Sequence, residues 1–328
     1  MTISTLSRRH LLQLAAGTAA TLAAGSPVHA QAWPSKPVTL MVGFAPGGIT
    51  DALARLVAPM LSEELKQPVI VENRAGASSS IATAAVAAAP KDGTTFLVVS
   101  NGHAHIKHLI KGIKYDPVAD FEPVGGIAQN PLLVLVNASA PYRSINDLVA
   151  AGRGANGLAY GHGGIGTLPH LIPEMLAKNL KTNFVNVAYR GSAPAIVDLM
   201  SNQVGFVMDL LQTSLPFVQA GKLRAVAVTS RERAVQLPDV PTLSETVLPG
   251  LDAQGFYGLL APAGTPRDVI AKMHAALLKV MKRPDMQERL RSVGSTAFEM
   301  TPAEFMSFIR NDGKRWSELI VSLGIQPE

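Results

Sequence analysis

The chain contains no cysteine. That absence excludes disulfides, thiolate-bound zinc, iron–sulfur clusters, a cysteine nucleophile and a lipid anchor on a cleavage-site cysteine. Aromatic residues reach only 5%, which weakens any stacking platform for single-stranded nucleic acid. Charged residues are 16% of the chain, and 29 Lys and Arg against 24 Asp and Glu leave a thin +5. Spread that way, the charge is not a nucleic-acid footprint. Beyond residue 30 no apolar run is long enough to span a bilayer, and no low-complexity linker divides the chain. What is present is 47% hydrophobic residues over 328 positions. That is ample for one large domain or two ordinary ones, and it excludes a disordered chain.

The first thirty residues read as an address. They carry no acid, two arginines (Arg8 and Arg9), a largely apolar run from Leu11 to Ala24, and the ending Ser26-Pro27-Val28-His29-Ala30. A basic start, a short apolar run and a small-x-small end describe a secretory signal peptide over residues 1–30. Ser7-Arg8-Arg9-His10-Leu11-Leu12 also resembles the twin-arginine export motif. Cleavage after Ala30 would remove both arginines and lower the charge from +5 to +3.

Downstream, short β-branched or apolar runs alternate with longer helical stretches. Strands are expected at Val38–Val42, Val69–Glu72, Phe96–Val99, Leu132–Val136, Leu158–Tyr160, Phe184–Ala188, Val204–Met208, Ala225–Thr229 and Gly255–Leu260. The alternation predicts an α/β fold of βαβ units with parallel sheets. Thr265-Pro266-Arg267-Asp268 and Thr301-Pro302-Ala303-Glu304 each offer an N-cap, a proline at the first helical position and an acid three residues after the cap. Glu122–Val136 and Leu251–Pro262 look like crossovers. They would build one domain from both chain ends (31–131 plus 254–328) and a second from the middle (132–253).

The informative feature is a recurring junction of strand, glycine-containing loop and helix. It occurs at Gly43–Asp51, Asn73–Ser79, Ser100–His103, Gly161–Thr167 and Tyr189–Ala193. Each follows an expected strand, so each should lie at a sheet's carboxyl edge, where open α/β sheets bind ligands. A helix start offers unpaired N–H groups and a partial positive charge, glycine admits close backbone approach, and Ser or Thr adds hydroxyl donors. Several such ends converging on one cleft would capture an anion with little side-chain charge.

Other chemistries lack their parts. Gly161-x-Gly163-x-x-Gly166 matches a dinucleotide fingerprint, but the next strand ends Val187-Ala188-Tyr189-Arg190, without the required acid. There is no phosphate-loop Gly-Lys-Ser/Thr and no Gly-x-Ser-x-Gly elbow. His103, His105 and His108 lack carboxylate partners for a metal, so a structural or solvent-facing role is expected. His162 and His170 flank the fourth loop, and one of them could contact a ligand. Paired carboxylates are missing from the loops. Asp51, first of all a helix-start residue, and Asp209 are the acids near strand ends. No metal and no cofactor are expected.

Many short strings then match one family in order and spacing. They include Trp33-Pro34-x-x-Pro37-Val38, Phe44-x-Pro46-Gly47-Gly48-x-x-Asp51-x-x-Ala54-Arg55 and Val71-Glu72-Asn73-Arg74-x-Gly76-Ala77. Further along come Tyr115-Asp116-Pro117, Gly164-Ile165-Gly166-Thr167-x-x-His170-Leu171 and Tyr189-x-Gly191-Ser192-Ala193-Pro194-Ala195. Leu237-Pro238-Asp239-Val240-Pro241-Thr242 and Ala261-Pro262-x-Gly264-Thr265-Pro266 close the series. The chain resembles the Bug-type periplasmic solute-binding proteins of tripartite tricarboxylate transporters, from about Trp33 to Ile325.

The resemblance implies a two-domain clamshell, the periplasmic-binding-protein fold, with two crossover strands and a ligand cleft between the domains. It implies capture of a small carboxylate (a di- or tricarboxylate, an acidic amino acid or an aromatic acid), without catalysis. Delivery would be to membrane permease subunits from a monomeric protein in the periplasm, with no nucleic acid involved. A sensing role, docking on a receptor, stays open beside it, as does an exported hydrolase or isomerase using Asp51 or a cleft histidine. Carried over, the ligand loops are Phe44, Ala45, Pro46, Gly47, Gly48, Thr50 and Asp51, and Gly163, Gly164, Ile165, Gly166 and Thr167. Ser78, Ser79, Asn101, Gly102, His170, Tyr189, Gly191, Ser192 and Asp209 would line the same cleft. The family's Gly-Gly-Asn after Gly-Ala is Ser78-Ser79-Ser80 here, which would add hydroxyls to the cleft.

Overall fold

The computed structural model describes residues 33–327. The expected signal segment, residues 1–30, lies outside the described residues. Among the described residues, no helix is long and apolar enough to cross a membrane.

Two sheets organise the chain. The first has strand order β11-β4-β10-β3-β1-β2 and the second β7-β6-β8-β5-β9. In the first, β1 (Val38–Val42) runs parallel to β2 (Val69–Asn73) and to β3 (Thr95–Ser100). β10 (Gly255–Pro262) joins β3 antiparallel, β4 (Phe121–Asn130) joins β10 antiparallel, and β11 (Thr296–Ala297) closes that edge. In the second, β6 (Leu158–His162) is parallel to β7 (Phe184–Ala188) and β8 (Phe206–Leu210). β5 (Leu132–Asn137) pairs antiparallel with β8 and with β9 (Leu223–Val228). The sheets are therefore mixed where the alternating pattern predicts parallel ones. The antiparallel members include the segments that pass between sheets: β4 runs into β5 with only Pro131 between them, so one extended stretch serves both. β10 returns to the first sheet just after Ala253 donates its N–H to Thr229 of the second.

Helices cover both faces of each sheet, which is why the inner strands are buried over most of their length, β5 and β10 throughout. α1 (Ile49–Leu65) and α8 (Arg267–Lys282) bury Leu53, Val57, Met273 and Leu277 on one face of the first sheet. α2 (Ser80–Ala87) and α10 (Pro302–Ser322) cover the other, with Val86, Phe305 and Ile309. On the second sheet, α3 (Ile145–Gly152) and α4 (Leu168–Leu180) pack on one face, and α5 (Ser192–Met200) and α6 (Leu211–Gln219) on the other. α7 (Leu243–Thr246) and α9 (Pro284–Ser292) complete the set. The far half of α10 leaves the first core: Trp316, Leu319 and Ile320 are buried among residues of the second. Trp316 Nε1 donates to Asp312 Oδ1 at 2.8 Å, so the indole is buried with its donor satisfied.

The two expected capping devices come out differently. Thr301 and Glu304 form a capping box at the start of α10. Thr265 does not cap α8, because its hydroxyl donates to the Pro262 carbonyl at 2.8 Å and Pro266 stands at the N-cap with extended backbone.

Candidate functional site

Between the sheets lies an open cleft of about 440 Å³. Its floor and walls come from the carboxyl ends of β1, β3, β6 and β8 and from the loops that follow them. From the first lobe come Phe44, Gly48, Thr50, Ser78, Asn101 and Gly102. The second lobe contributes Gly163, Ile165, Gly166, Thr167, Ser192 and Asp209. These sequence-expected residues, distant in the chain, are thus brought to one place. No Lys or Arg is among the described lining residues, and much of the wall is apolar, including Ile49, Ile106, Leu109, Leu210 and Tyr257.

Four helices start at this cleft: α1 behind Gly48, α4 behind Thr167, α5 behind Gly191 and α6 behind Leu210. None of those N-cap residues makes a side-chain cap hydrogen bond. The positive ends of four helix dipoles therefore meet at the opening, although some first-turn donors are already used, Leu211 N–H by the Pro131 carbonyl at 3.1 Å and His170 N–H by the Thr167 carbonyl at 3.0 Å. The loop before α4 is built by close approach. A Cβ on Gly163 would stand 2.7 Å from Ser192 N, and Gly191 N–H donates to the Gly163 carbonyl at 3.1 Å. Gly166 adopts φ +75° and packs directly on Leu109 of the first lobe.

Other expected residues sit behind this surface. Asp51 is buried and turned inward, where its carboxylate accepts Gly47 N–H (2.9 Å), Arg55 Nε (3.0 Å) and Asn73 Nδ2 (2.8 Å). Burial alone would raise its pKa, but these hydrogen bonds outweigh it and hold the carboxyl below the ordinary range. Asp51 therefore braces the first loop, and the Gly47 N–H is already taken. Ala45 and Pro46 are exposed beside that loop and do not line the cleft. Ser79 packs behind the loop against Gly43.

Gly164 accepts the Thr167 hydroxyl at 2.7 Å, holding the second loop closed. His170 lies beneath that loop, where its Nδ1 accepts Gly166 N–H at 3.0 Å and its ring stacks on His162 with centroids 4.4 Å apart. Burial lowers its pKa to about 4, so the ring is a neutral acceptor. Tyr189 is tied to Asp198 at 2.6 Å, and burial together with that carboxylate pushes its hydroxyl up to about 12. Gly191 faces open space just outside the lining, with φ +99°. Asn101 does reach the cleft, but its amide is spent: Oδ1 accepts Phe256 N–H (2.8 Å) and Nδ2 donates to the Gln254 carbonyl (3.2 Å), pinning the second crossover. Asp209 is buried in the wall. Burial raises its pKa, and hydrogen bonds from Thr213 (2.6 Å) and Ser214 (2.9 Å) only partly offset that.

The Ser78 region carries an unusual backbone. Ala77, Ser78 and Ser79 all have positive φ (42°, 51° and 76°) in a tight turn before α2. Left-handed conformations disfavour side chains, which accounts for the glycines that the resemblance places here. Several lining residues fall outside the ligand set carried over from the sequence, most of them apolar, and one is a histidine. His105 lines the cleft, whereas the loop's histidines read as structural or solvent-facing. The available signal was the spacing of two: His103 turns inward to the Pro117 carbonyl at 2.6 Å, and the intervening Ala104 leaves His105 facing elsewhere.

The family model of the tripartite tricarboxylate transporter family receptor matches residues 53–325. The chain belongs to this receptor family. The receptor is 31% identical over 308 residues to Protein BugT of Bordetella pertussis, covering 93% of this chain and 94% of that one. Among solved structures it is similar to Rpa4515 of R. palustris, determined with adipate, with a TM-score of 0.76 and 34% identity. That match covers 90% of this chain and 100% of the other. It is also similar to MatC of Rhodopseudomonas palustris with bound malate: TM-score 0.72, 31% identity, 88% of this chain and 100% of the other. It shares its two-domain fold with the periplasmic binding protein BugD as well, at a TM-score of 0.73 and 32% identity over 90% of this chain and 100% of the other, which makes the fold that of a Bug-type periplasmic binding protein.

Proposed function

We propose that this receptor captures a small carboxylate in the periplasm and presents it to the membrane permease subunits of a tripartite tricarboxylate-type transporter. The observation that carries the reading is the convergence of four helix starts, none capped by its own N-cap side chain, on one cleft without Lys or Arg. Such a site supplies positive potential through backbone dipoles, which suits an anion. Adipate and malate in the two solved relatives support the same chemistry. The ligand-facing groups are Gly48, Thr50, Ser78, Gly163, Gly166, Thr167 and Ser192. Asp51, Asn101 and His170 shape the loops from behind.

The domains divide at 131/132 and 253/254, with the two crossovers as hinges, and binding closes the cleft by rotation about them. No bond is made or broken in this cycle. A thermal-shift screen with adipate, malate, citrate, glutamate, benzoate and glucose tests the proposal, since a bound ligand raises the melting temperature by mass action. At least one carboxylate should stabilise the protein and glucose should not. Stabilisation by glucose alone overturns the reading.

A further inference from the structure

Among the described cleft-lining residues, His105 is the one whose side-chain polar atoms are fully buried without a hydrogen-bond partner. It is 1% exposed, and neither Nδ1 nor Nε2 has a hydrogen-bond partner. Asn101, Thr167 and Asp209 all have partners within the protein. A buried polar group without one is rare in a folded chain and calls for a partner that arrives from outside. The ring is also held in place. Gly313 of α10 packs directly on the neighbouring Ala104, and a Cβ on Gly102 would stand 3.9 Å from His105 Nε2.

Across the cleft the ring approaches the backbone of Gly166, one residue before the N-cap of α4, near enough for that backbone to raise its pKa but without hydrogen-bond geometry. Burial holds the imidazole down to a pKa of about 4, against a raising effect from the Gly166 backbone and with smaller lowering by His108 and His103, so it is neutral and carries one N–H donor. Ile106, Leu109, Ile165, Leu210 and Tyr257 supply apolar surface in the same cleft.

We infer that His105 is a ligand-binding residue whose ring N–H meets a carboxylate oxygen of the solute seated at the Gly163–Thr167 loop. An imidazole from one lobe and the positive end of α4 from the other then close on the same carboxylate, Gly166 N–H being held by His170. The positive end of α4 favours the anion there, and the ring turns its donor to it. The apolar surroundings fit a solute with an apolar skeleton, such as an adipate- or benzoate-like acid. This inference rests on the carboxylate reading above.

Isothermal titration with adipate and benzoate on the full mature protein tests it, using wild type, His105→Leu and His105→Gln, alongside melting curves without ligand. Loss of one hydrogen bond to a charged group should weaken binding by about 10- to 100-fold in His105→Leu. The unliganded melting temperature of that variant should hold or rise, because a buried unpartnered group has gone. His105→Gln keeps a donor and should fall between the two. Equal affinity in His105→Leu overturns the inference and leaves the carboxylate reading intact. A lowered melting temperature in both variants with equal losses of affinity also overturns it, since the ring would then be structural. Tighter binding of malate or citrate than of adipate and benzoate overturns the apolar-skeleton assignment. If wild type binds no carboxylate, the reading and the inference fall together.

Discussion

At Thr301 the side chain accepts Glu304 N–H at 3.3 Å, and Glu304 accepts Thr301 N–H at 2.9 Å in return. At Thr167 no such exchange occurs: the hydroxyl turns back to the Gly164 carbonyl, Pro169 brings no N–H, and His170 N–H donates to the Thr167 carbonyl at 3.0 Å instead of to a side chain. Ser144 at α3 and Thr242 at α7 repeat the Thr301 pattern away from the cleft. Gly48, Gly191 and Leu210 repeat the open pattern at it. α8 and α9 are uncapped as well, so an open start is not in itself a site. Convergence is what matters. The same local chemistry serves stability where helix ends stand alone and affinity where they meet.

The sharpest way to break this contrast is to fill the space between two of the loops. In Gly163→Val the new Cβ would press on Ser192 N at 2.7 Å and Gly191 C at 2.8 Å, which are backbone atoms with little room to retreat. Adipate affinity should fall by about 100-fold or more, roughly 2.7 kcal/mol, with a lower melting temperature. Gly47→Ala is the control. Its Cβ would enter open space, and only left-handed strain, about 1–2 kcal/mol, is added. Equal binding losses in both variants would show that the close approach of loops is not what builds the site.

Acid comes next in size. Burial lowers His103, His105 and His170 to about 4 from 6.5. A folded pKa below the unfolded one favours the neutral ring in the native state. Stability is then whole above pH 6.5 and is lost as pH falls towards 4. Each ring should cost on the order of 2 kcal/mol at pH 5. Two of the three back or line the cleft, so melting curves at pH 7.5, 6 and 5 should fall, and adipate should protect most at the higher pH. A flat profile over that range would contradict these burials.

Capping itself gives a smaller effect. Thr301→Ala should cost about 1 kcal/mol in urea melts and leave adipate affinity unchanged. Thr167→Ala should reverse the balance, weakening adipate several-fold with less effect on stability. The smallest change concerns the left-handed turn. Ser79→Gly should gain up to about 1 kcal/mol by relieving a side chain at φ 76°, with affinity preserved. A loss of stability there would mean that the hydroxyl against Gly43 matters more than the strain.

Much of this organisation is legible in residue order. Val38–Val42, Phe96–Val99 and Leu132–Val136 announce strands because burial on both faces leaves no polar alternation to blur them. The cleft loops are legible because glycine at a strand end has few other uses. β4 is not. It lies in the expected crossover Glu122–Val136, but its Pro123, Gly125 and Gly126 do not announce a strand, and Gly126 is small because Phe298 packs across it, a contact no one-dimensional pattern carries. Direction is hidden too. Asp51 and His105 both sit beside glycine-containing loops, but one carboxylate turns inward to three donors while one imidazole faces the cleft without a partner. Thr265 and Thr301 share a motif and part ways over whether a nearby carbonyl takes the hydroxyl first.

The C-terminal helix has a mechanical consequence. Two strands joining two lobes would by themselves define a single axis of rotation. α10 is a third attachment, anchored by Phe305 and Ile309 at one end and by Trp316, Leu319 and Ile320 at the other. A rod fixed in both bodies acts as a stay. If the cleft closes as proposed, such a stay would hold the rotation to one track, with its limits set by the length and stiffness of a helix packed into both cores.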